Sequence, residues 1–355
     1  MSAMLTMSEQ QMLPLEQHEE TVSYESGDFV RVDLSGDLDA GLRRACKGTG
    51  VVLLGGIPDA PLDKIRELLD AVAARPDIQD RVNEAYQATG AKKLVWKDSF
   101  ATGRGGDSVD QKRVLDLAAH RIAAIEKVQR GREIDEPLTE SLEFFHQVEQ
   151  AVVPKLLEAL GTTGQVPLIS EEHDWLTAYR MVDYYARPSD SRPPRCGEHR
   201  DFGTLTLIFQ DGMGGLEVQV GDKWVPVPPK DTVLLFGWCS KVRSNDRIPA
   251  ALHRVVDSPV ADKNSVVPRR TTAILFVAPG ADASVAPVVL PGESTHYGGL
   301  KKAGDLKGIM ARKWEFREGT IDESQIAAEV EERRRFKTQD DIVAHVLKTQ
   351  NDQTI

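Results

Sequence analysis

The spacing of apolar positions changes character along the chain. Residues 1–27 show no sustained period and read as a loose N-terminal extension. Val30, Val32 and Leu34 then alternate with polar residues, the pattern of a half-buried strand. LRRACKG predicts a short helix, Gly48–Gly50 a turn, and the unbroken run Val51–Leu54 a buried strand. Leu62, Ile65, Leu68, Leu69 and Val72 fall on one helical face, with Pro76 as the stop. Residues 85–110, with glycines clustered at 103–106, read as a loop. VDQKRVLDLAAHRIAAIEKVQRG and LTESLEFFHQVEQAVVPKLLEALG carry helical spacing and end in glycine. Pro154 is expected to kink or divide the second.

From residue 174 the period shortens. WLTAYRMVDYYA, FGTLTLIFQD, GLEVQVGDKWVPVP, DTVLLFGWCS, AALHRVVDSPV and RRTTAILFVAP are short runs rich in β-branched and aromatic residues, separated by Gly, Pro and Asp. Closely spaced strands of this kind predict a sandwich or barrel. Residues 321–349 return to helical spacing. The expected organisation is a mixed α/β region over 28–170, a β core over 171–320, and C-terminal helices over 321–355 that pack on the core.

Composition narrows the picture. The 355 residues suffice for a substantial core. A net charge of −11, from 44 basic and 55 acidic residues, comes without a basic stripe and argues against a nucleic-acid partner. Cys46, Cys196 and Cys239 form no C-x-x-C pair, and an odd, scattered set argues against a disulfide framework. The N-terminus lacks the basic start and apolar run of a secretory signal, and no apolar stretch is long enough for a membrane helix. A cytoplasmic protein without a membrane partner is expected.

Candidate chemistry lies in GEHRDFGTLTLIF. If His199 and Asp201 share a strand, their i, i+2 spacing points both to one face. His253, in AALHRVV, follows at a distance that lets an antiparallel neighbour return beside them. Two histidines and one carboxylate on a single face form the facial triad of non-haem Fe(II) oxygenases, which leaves coordination positions open. An H-x-D also arises by chance, so the case needs a second feature. Arg270 and Thr272 supply it, again at i, i+2, as a guanidinium fork and a hydroxyl suited to one carboxylate. His18, His120, His146, His173, His296 and His345 read as surface or capping residues. A zinc hydrolase is disfavoured by the lack of H-E-x-x-H.

Taken together, these motifs resemble the isopenicillin N synthase-like family of Fe(II)- and 2-oxoglutarate-dependent dioxygenases, over roughly residues 28–320. HRDFGTLTLIFQD resembles H-x-D-x-G-x-L-T-I-L-x-Q-D, VRSNDRIPAALHRVV resembles S-N-G-x-x-x-S-x-x-H-R-V with Asp246 for glycine, and RRTTAILF resembles R-x-S-x-x-x-F with Thr272 for serine. RMVDYYA resembles the N-Y-Y-P segment, with Asp183 in the usual asparagine position.

The resemblance implies a mainly β fold with flanking helices around a double-stranded β-helix, or distorted jelly roll. It implies His199, Asp201 and His253 as iron ligands, and Arg270, Thr272 and Tyr185 on 2-oxoglutarate. It further implies O2 as co-substrate, ascorbate as a reductant, and a small-molecule substrate that is hydroxylated or rearranged, for example by ring expansion. CGEHRDFG, LLFGWCS and VRSN are similar to fungal secondary-metabolite members acting on aromatic polyketides. A carboxylate at Asp183 would repel a bound carboxylate unless protonated or paired. The alternatives are an Fe(II) oxidase of the same fold without 2-oxoglutarate, and a silent cupin-like binding protein.

Overall fold

The computed structural model describes residues 29–90, 95–98, 110–162, 175–188, 195–258 and 266–317. The expectations for residues 1–27, the glycine cluster at 103–106, the helices at 321–355, and His18, His173 and His345 lie outside these residues. Among the described residues no helix is long and apolar enough to cross a membrane.

β1 (Val30–Asp33) and β2 (Val51–Gly55) are parallel and flank α1 (Leu38–Cys46). The Asp37 carboxylate opens α1 by accepting from the Ala40 amide at 2.9 Å. α2 (Leu62–Ala73) buries the face anticipated from its spacing. Pro76 does more than end it: it sits at the start of α3 (Pro76–Gln87), where its missing amide is harmless. β3 (Trp96–Asp98) and β4 (Arg113–Ala118) come next, then α4 (Ala119–Glu126).

The helix expected through RVLDLAAHRIAAIEK therefore begins only at Ala119. Arg113–Ala118 is a strand, hydrogen-bonded on both sides, to β3 and to β5 (Trp175–Tyr184). The segment has usable residues for either state, and the two open strand edges decide it. α5 (Arg132–Ala151) and α6 (Val153–Thr162) divide at Val152, just ahead of Pro154 as expected.

The β-rich part continues as β6 (Arg187–Pro188), β7 (Cys196–His199), β8 (Leu205–Gln210), β9 (Leu216–Val220), β10 (Lys223–Pro226) and β11 (Thr232–Phe236). The strand expected through DTVLLFGWCS stops at Phe236, and Trp238–Arg243 is a short helix, α7. β12 (His253–Val255), β13 (Val266–Val267), β14 (Arg270–Pro279) and the unanticipated helix α8 (Ala303–Arg317) complete the order.

One sheet has eight strands, ordered β1-β2-β11-β8-β14-β5-β4-β3; a second has four, ordered β10-β9-β12-β7. The large sheet separates two cores. On its outer face Leu205, Leu207, Phe209, Ala273, Leu275 and Val277 pack with side chains of α1–α6. On its inner face Val182, Tyr184, Ile208, Val233 and Leu235 meet Cys196, Leu216, Val218 and Val255 of the small sheet. Each such aliphatic side chain contributes about 1.5–3 kcal/mol of burial free energy. The strict alternation leaves no freedom of register, because a one-residue slip would send each inner residue outward. The result is a mainly β jelly-roll core with flanking helices.

Candidate metal centre

β12 lies between β7 and β9 in the small sheet, and its register sets His253 directly opposite His199. The two rings sit 4.2 Å apart, centroid to centroid. A bulge then places one extra residue in β7, so that Val255 pairs with Cys196.

Asp201 differs from its expected position. β7 ends at His199, and Asp201 lies in the connection to β8, not on a continuing strand. The i, i+2 argument thus reached the right neighbour for an incomplete reason. What aims the carboxylate is a set of hydrogen bonds. The Trp238 amide at the start of α7 donates to the Asp201 carbonyl at 2.8 Å, and the Cys239 amide donates to the Phe202 carbonyl at 3.0 Å. Gly237 permits this close seating: a Cβ there would lie 2.3 Å from the Gly203 carbonyl oxygen and 2.9 Å from that of Asp201. Thr206 Oγ1 donates to Asp201 Oδ2 at 2.7 Å.

The ligand atoms offered by His199, Asp201 and His253 all lie within 4.8 Å of one another. Nε2 of His199 is 3.7 Å from Asp201 Oδ1, and Nε2 of His253 is 4.0 Å from Asp201 Oδ2. A carbonyl only accepts, so the Nδ1 contacts, His199 to Gly197 O at 2.9 Å and His253 to Ala251 O at 3.1 Å, assign the proton to Nδ1 in each ring. Both Nε2 lone pairs are thereby left to face Asp201. Backbone partners of this kind orient metal-binding histidines and raise their basicity. The donor set, two imidazoles and one carboxylate steadied by a threonine hydroxyl, fits a ferrous ion.

Arg270 and Thr272 do share one face, but on β14 in the large sheet, so they approach the interior from the side opposite His253. Arg270 is buried, and burial lowers its pKa. Its Nη2 donates to Gln210 Oε1 at 3.2 Å and its Nε to the Met213 carbonyl at 3.3 Å. The Gln210 amide nitrogen donates to Pro228 O and Asp231 O at 2.9 and 3.0 Å, which turns its oxygen toward Arg270. Among the described residues no carboxylate forms an ion pair with Arg270. Thr272 Oγ1 is buried without a hydrogen-bond partner. A buried cation that donates only to neutral acceptors, beside an unpartnered buried hydroxyl, is costly in isolation. It is the donor set that an added carboxylate would complete, and so it fits the distal end of 2-oxoglutarate.

Tyr185 is not brought to this place. It follows the end of β5, donates its hydroxyl to Gln111 Oε1 at 3.2 Å, and lies beneath the Arg113 guanidinium at 5.3 Å. Its neighbour Tyr184 pairs with Arg270 across β5 and β14, and its buried ring lies 5.2 Å from the guanidinium carbon. Asp183 also points away from Arg270, toward the helices. Its Oδ1 accepts from Arg269 Nε at 2.7 Å, and its Oδ2 lies 3.6 Å from Arg113 Nη1. The anticipated repulsion therefore does not arise. Sequence reasoning passed over Tyr184, Thr206 and Gln210. Alternation held the signal: Val182 and Tyr184, like Thr206, Ile208 and Gln210, are i, i+2 sets on inner faces. His120 and His146 lie on α4 and α5, and exposed His296 is hydrogen-bonded to Asp246 at 2.6 Å.

A jelly roll with two histidines and a carboxylate converging in its interior defines a non-haem metal enzyme class. Comparison with known proteins gives the family. A family model described as the 2OG-Fe(II) oxygenase superfamily matches residues 176–279. The chain is 33% identical over 253 residues to the 2-oxoglutarate-Fe(II) type oxidoreductase ppzD of Metarhizium rileyi, spanning 65% of this chain and 69% of that one. It is 26% identical over 250 residues to the 2-oxoglutarate-dependent dioxygenase ecdK of Aspergillus rugulosus, spanning 65% of this chain and 74% of the relative. Its fold is similar to the crystal structure of the dioxygenase for auxin oxidation in rice, with a TM-score of 0.61 at 21% identity, covering 81% of this chain and 96% of that one. The chain belongs to the 2OG-Fe(II) oxygenase superfamily. It is an oxidoreductase that uses iron, 2-oxoglutarate and O2 on a small molecule.

Proposed function

We propose that this chain is an isopenicillin N synthase-like dioxygenase of secondary metabolism, with His199, Asp201 and His253 as its iron ligands. Arg270 and Thr272 bind the distal carboxylate of 2-oxoglutarate, and Tyr184 fills the role expected of Tyr185. The observation that carries this reading is the His–Asp–His cluster together with, on the facing large sheet, a buried Arg270 that no described carboxylate ion-pairs and an unpartnered Thr272 hydroxyl. The named fungal relatives ppzD and ecdK support the metabolic setting. The motifs CGEHRDFG, LLFGWCS and VRSN favour an aromatic polyketide as the first substrate class to test.

Each residue then has a task. The Nδ1 hydrogen bonds hold both imidazoles with Nε2 inward. Thr206 keeps one carboxylate oxygen of Asp201 engaged and so limits its rotation. Arg270 and Thr272 fix the length along which 2-oxoglutarate can lie. The Tyr184 ring shields the guanidinium from water, which strengthens its grip on an anion. Apolar Val182, Ile208, Val218 and Leu235 exclude solvent. When bound, the iron and 2-oxoglutarate supply the redox chemistry, in which the co-substrate loses CO2 to become succinate as the substrate is oxidised.

The test is an anaerobic titration with Fe(II) and 2-oxoglutarate. The wild-type chain is expected to develop a visible metal-to-ligand charge-transfer band, and His199→Ala and Asp201→Ala to lack it while remaining folded. A band of full intensity in both variants would overturn the ligand assignment. No band in the wild type, with iron bound, would favour the oxidase that dispenses with 2-oxoglutarate.

A further inference from the structure

The strand that ends at His199 begins at Cys196, whose surroundings differ from those of the other two thiols. Cys46 and Cys239 sit among apolar side chains, and burial pushes both thiols up, that of Cys46 to about 12. Cys196 is equally buried, yet its sulfur lies 3.0 Å from the Lys112 ammonium nitrogen and 3.6 Å from Asp110 Oδ2. Lys112 Nζ and Asp110 Oδ2 are 3.1 Å apart and close the triangle. The other Asp110 oxygen, Oδ1, accepts from the Gly197 amide at 2.7 Å, which ties the triangle to the backbone that leads to His199. The proposed mechanism uses none of these three side chains. They nevertheless lie close to the proposed 2-oxoglutarate anchor: Cys196 packs with Tyr184 in the inner core, and Tyr184 lies against Arg270.

We propose that Lys112 and Cys196 form an oxidative modification site, at which dioxygen joins the two side chains reversibly through a single oxygen atom as an N–O–S cross-link. The separation of 3.0 Å is short enough for one oxygen atom to span. Asp110 takes the proton that the ammonium must lose before its nitrogen can form a new bond. The S–H bond, one N–H bond of the resulting amine and the O=O bond break. An S–O and an O–N bond form, and the second oxygen atom leaves as water with the two released hydrogens. Sulfur and nitrogen each give up an electron pair to the oxygen. Excess thiol returns those electrons, restores the thiol and the amine, and releases the bridging oxygen as water. The bridge fastens the segment before β4 to the strand carrying His199, which makes it a covalent brace on one wall of the metal centre.

Intact-mass and peptide mapping of the full-length chain test this. After aerobic incubation without reductant, the wild-type chain is expected to gain the mass of one oxygen less two hydrogens. Its digest should contain a joined peptide pair linking Lys112 to Cys196, lost on treatment with dithiothreitol and absent from anaerobically prepared protein. Cys46→Ser and Cys239→Ser should keep the gain; Lys112→Arg and Cys196→Ser should lose it. No joined peptide in the wild type would overturn the proposal, as would a plain oxygen addition at Cys196 of equal yield in Lys112→Arg. The wild-type map decides the point even where a variant fails to fold. The readout is mass, so it stands or falls separately from the iron and 2-oxoglutarate assignments.

Discussion

Arg270 is held by two neutral acceptors, Gln210 Oε1 and the Met213 carbonyl, and by the face of Tyr184. A carboxylate added to this shell makes a charge-assisted hydrogen bond of about 1.5–3 kcal/mol. Arg270→Ala is therefore expected to raise the half-saturation concentration of 2-oxoglutarate by roughly tenfold to a hundredfold, and that of the substrate far less. Thr272→Ala loses a bond of about 0.5–1.5 kcal/mol, for a rise of up to about tenfold. Succinate formation at varied 2-oxoglutarate gives both numbers; equal shifts for both ligands would contradict the anchoring role. The two tyrosines part company here. Tyr184→Ala should weaken 2-oxoglutarate binding, whereas Tyr185→Phe, which loses the hydrogen bond to Gln111, should leave it unchanged by the same measurement. At this scale the triad and the Arg-x-Thr pair were legible because their residue types are chemically distinctive. The facing of Tyr184, rather than Tyr185, toward Arg270 follows from the strand pairing, and alternation from Val182 carries the signal for it.

At the scale of the element, β14 and Arg269 just before it present two working faces. Arg270 and Thr272 project inward, while Arg269 and Thr271 are gripped from behind. Arg269 Nη1 meets Asp70 of α2 at 2.8 Å, Arg66 of α2 donates to Thr271 Oγ1 at 3.2 Å, and Asp211 Oδ2 accepts from the Thr271 amide at 2.6 Å. Asp183 completes the grip on Arg269, which is partly exposed and keeps Asp70, so losing this charge-assisted hydrogen bond costs about 1.5–3 kcal/mol. Asp183→Ala is expected to lower the urea midpoint accordingly and also to raise the 2-oxoglutarate half-saturation concentration.

The α7 start is a comparable device for Asp201. Gly237→Ala should displace the Asp201 loop and weaken anaerobic Fe(II) binding by roughly tenfold or more, with the circular dichroism of the fold unchanged. Neither device could be read from the chain, since both depend on which loop meets which helix. β4 shows the same limit. RVLDLAA satisfies helical spacing as well as alternation, and only the pairing with β3 and β5 selects the strand. α8 went unnoticed for a related reason, since its sequence, AGDLKGIMARKWEFR, carries two glycines and hardly segregates apolar from polar residues.

For the molecule as a whole, the join between the helical side and the large sheet contains a buried charge. Asp116 of β4 contacts Arg121 of α4 at 2.9 Å and Arg180 of β5 at 2.8 Å. Burial alone would push this carboxyl up, but Arg180 and Arg121 outweigh it and hold the pKa at about 2, below the ordinary 3.8. A folded-state value below the unfolded one means that the carboxylate stabilises the fold fully above pH 3.8 and progressively less as pH falls toward 2. Asp116→Asn should flatten the loss of stability in this window, as followed by urea denaturation at a series of acid pH values. An unaltered acid limb would place the titrating group elsewhere.

The broad division into helical and β-rich stretches was legible from apolar spacing. The participation of β1–β4 in the same eight-stranded sheet as β14 was not, because pairing partners far apart in sequence leave no local trace.

The placement of His199 opposite His253 also bears on assembly. The two strands involved are only four and three residues long, but β12 is also held on its other edge by β9, where His253 pairs with Val218 and Val255 with Leu216. A one-residue slip of β12 would pull Val255 out of the inner core as it turned the His253 ring away. The apolar seating of a three-residue strand therefore aligns the two imidazoles as part of folding itself.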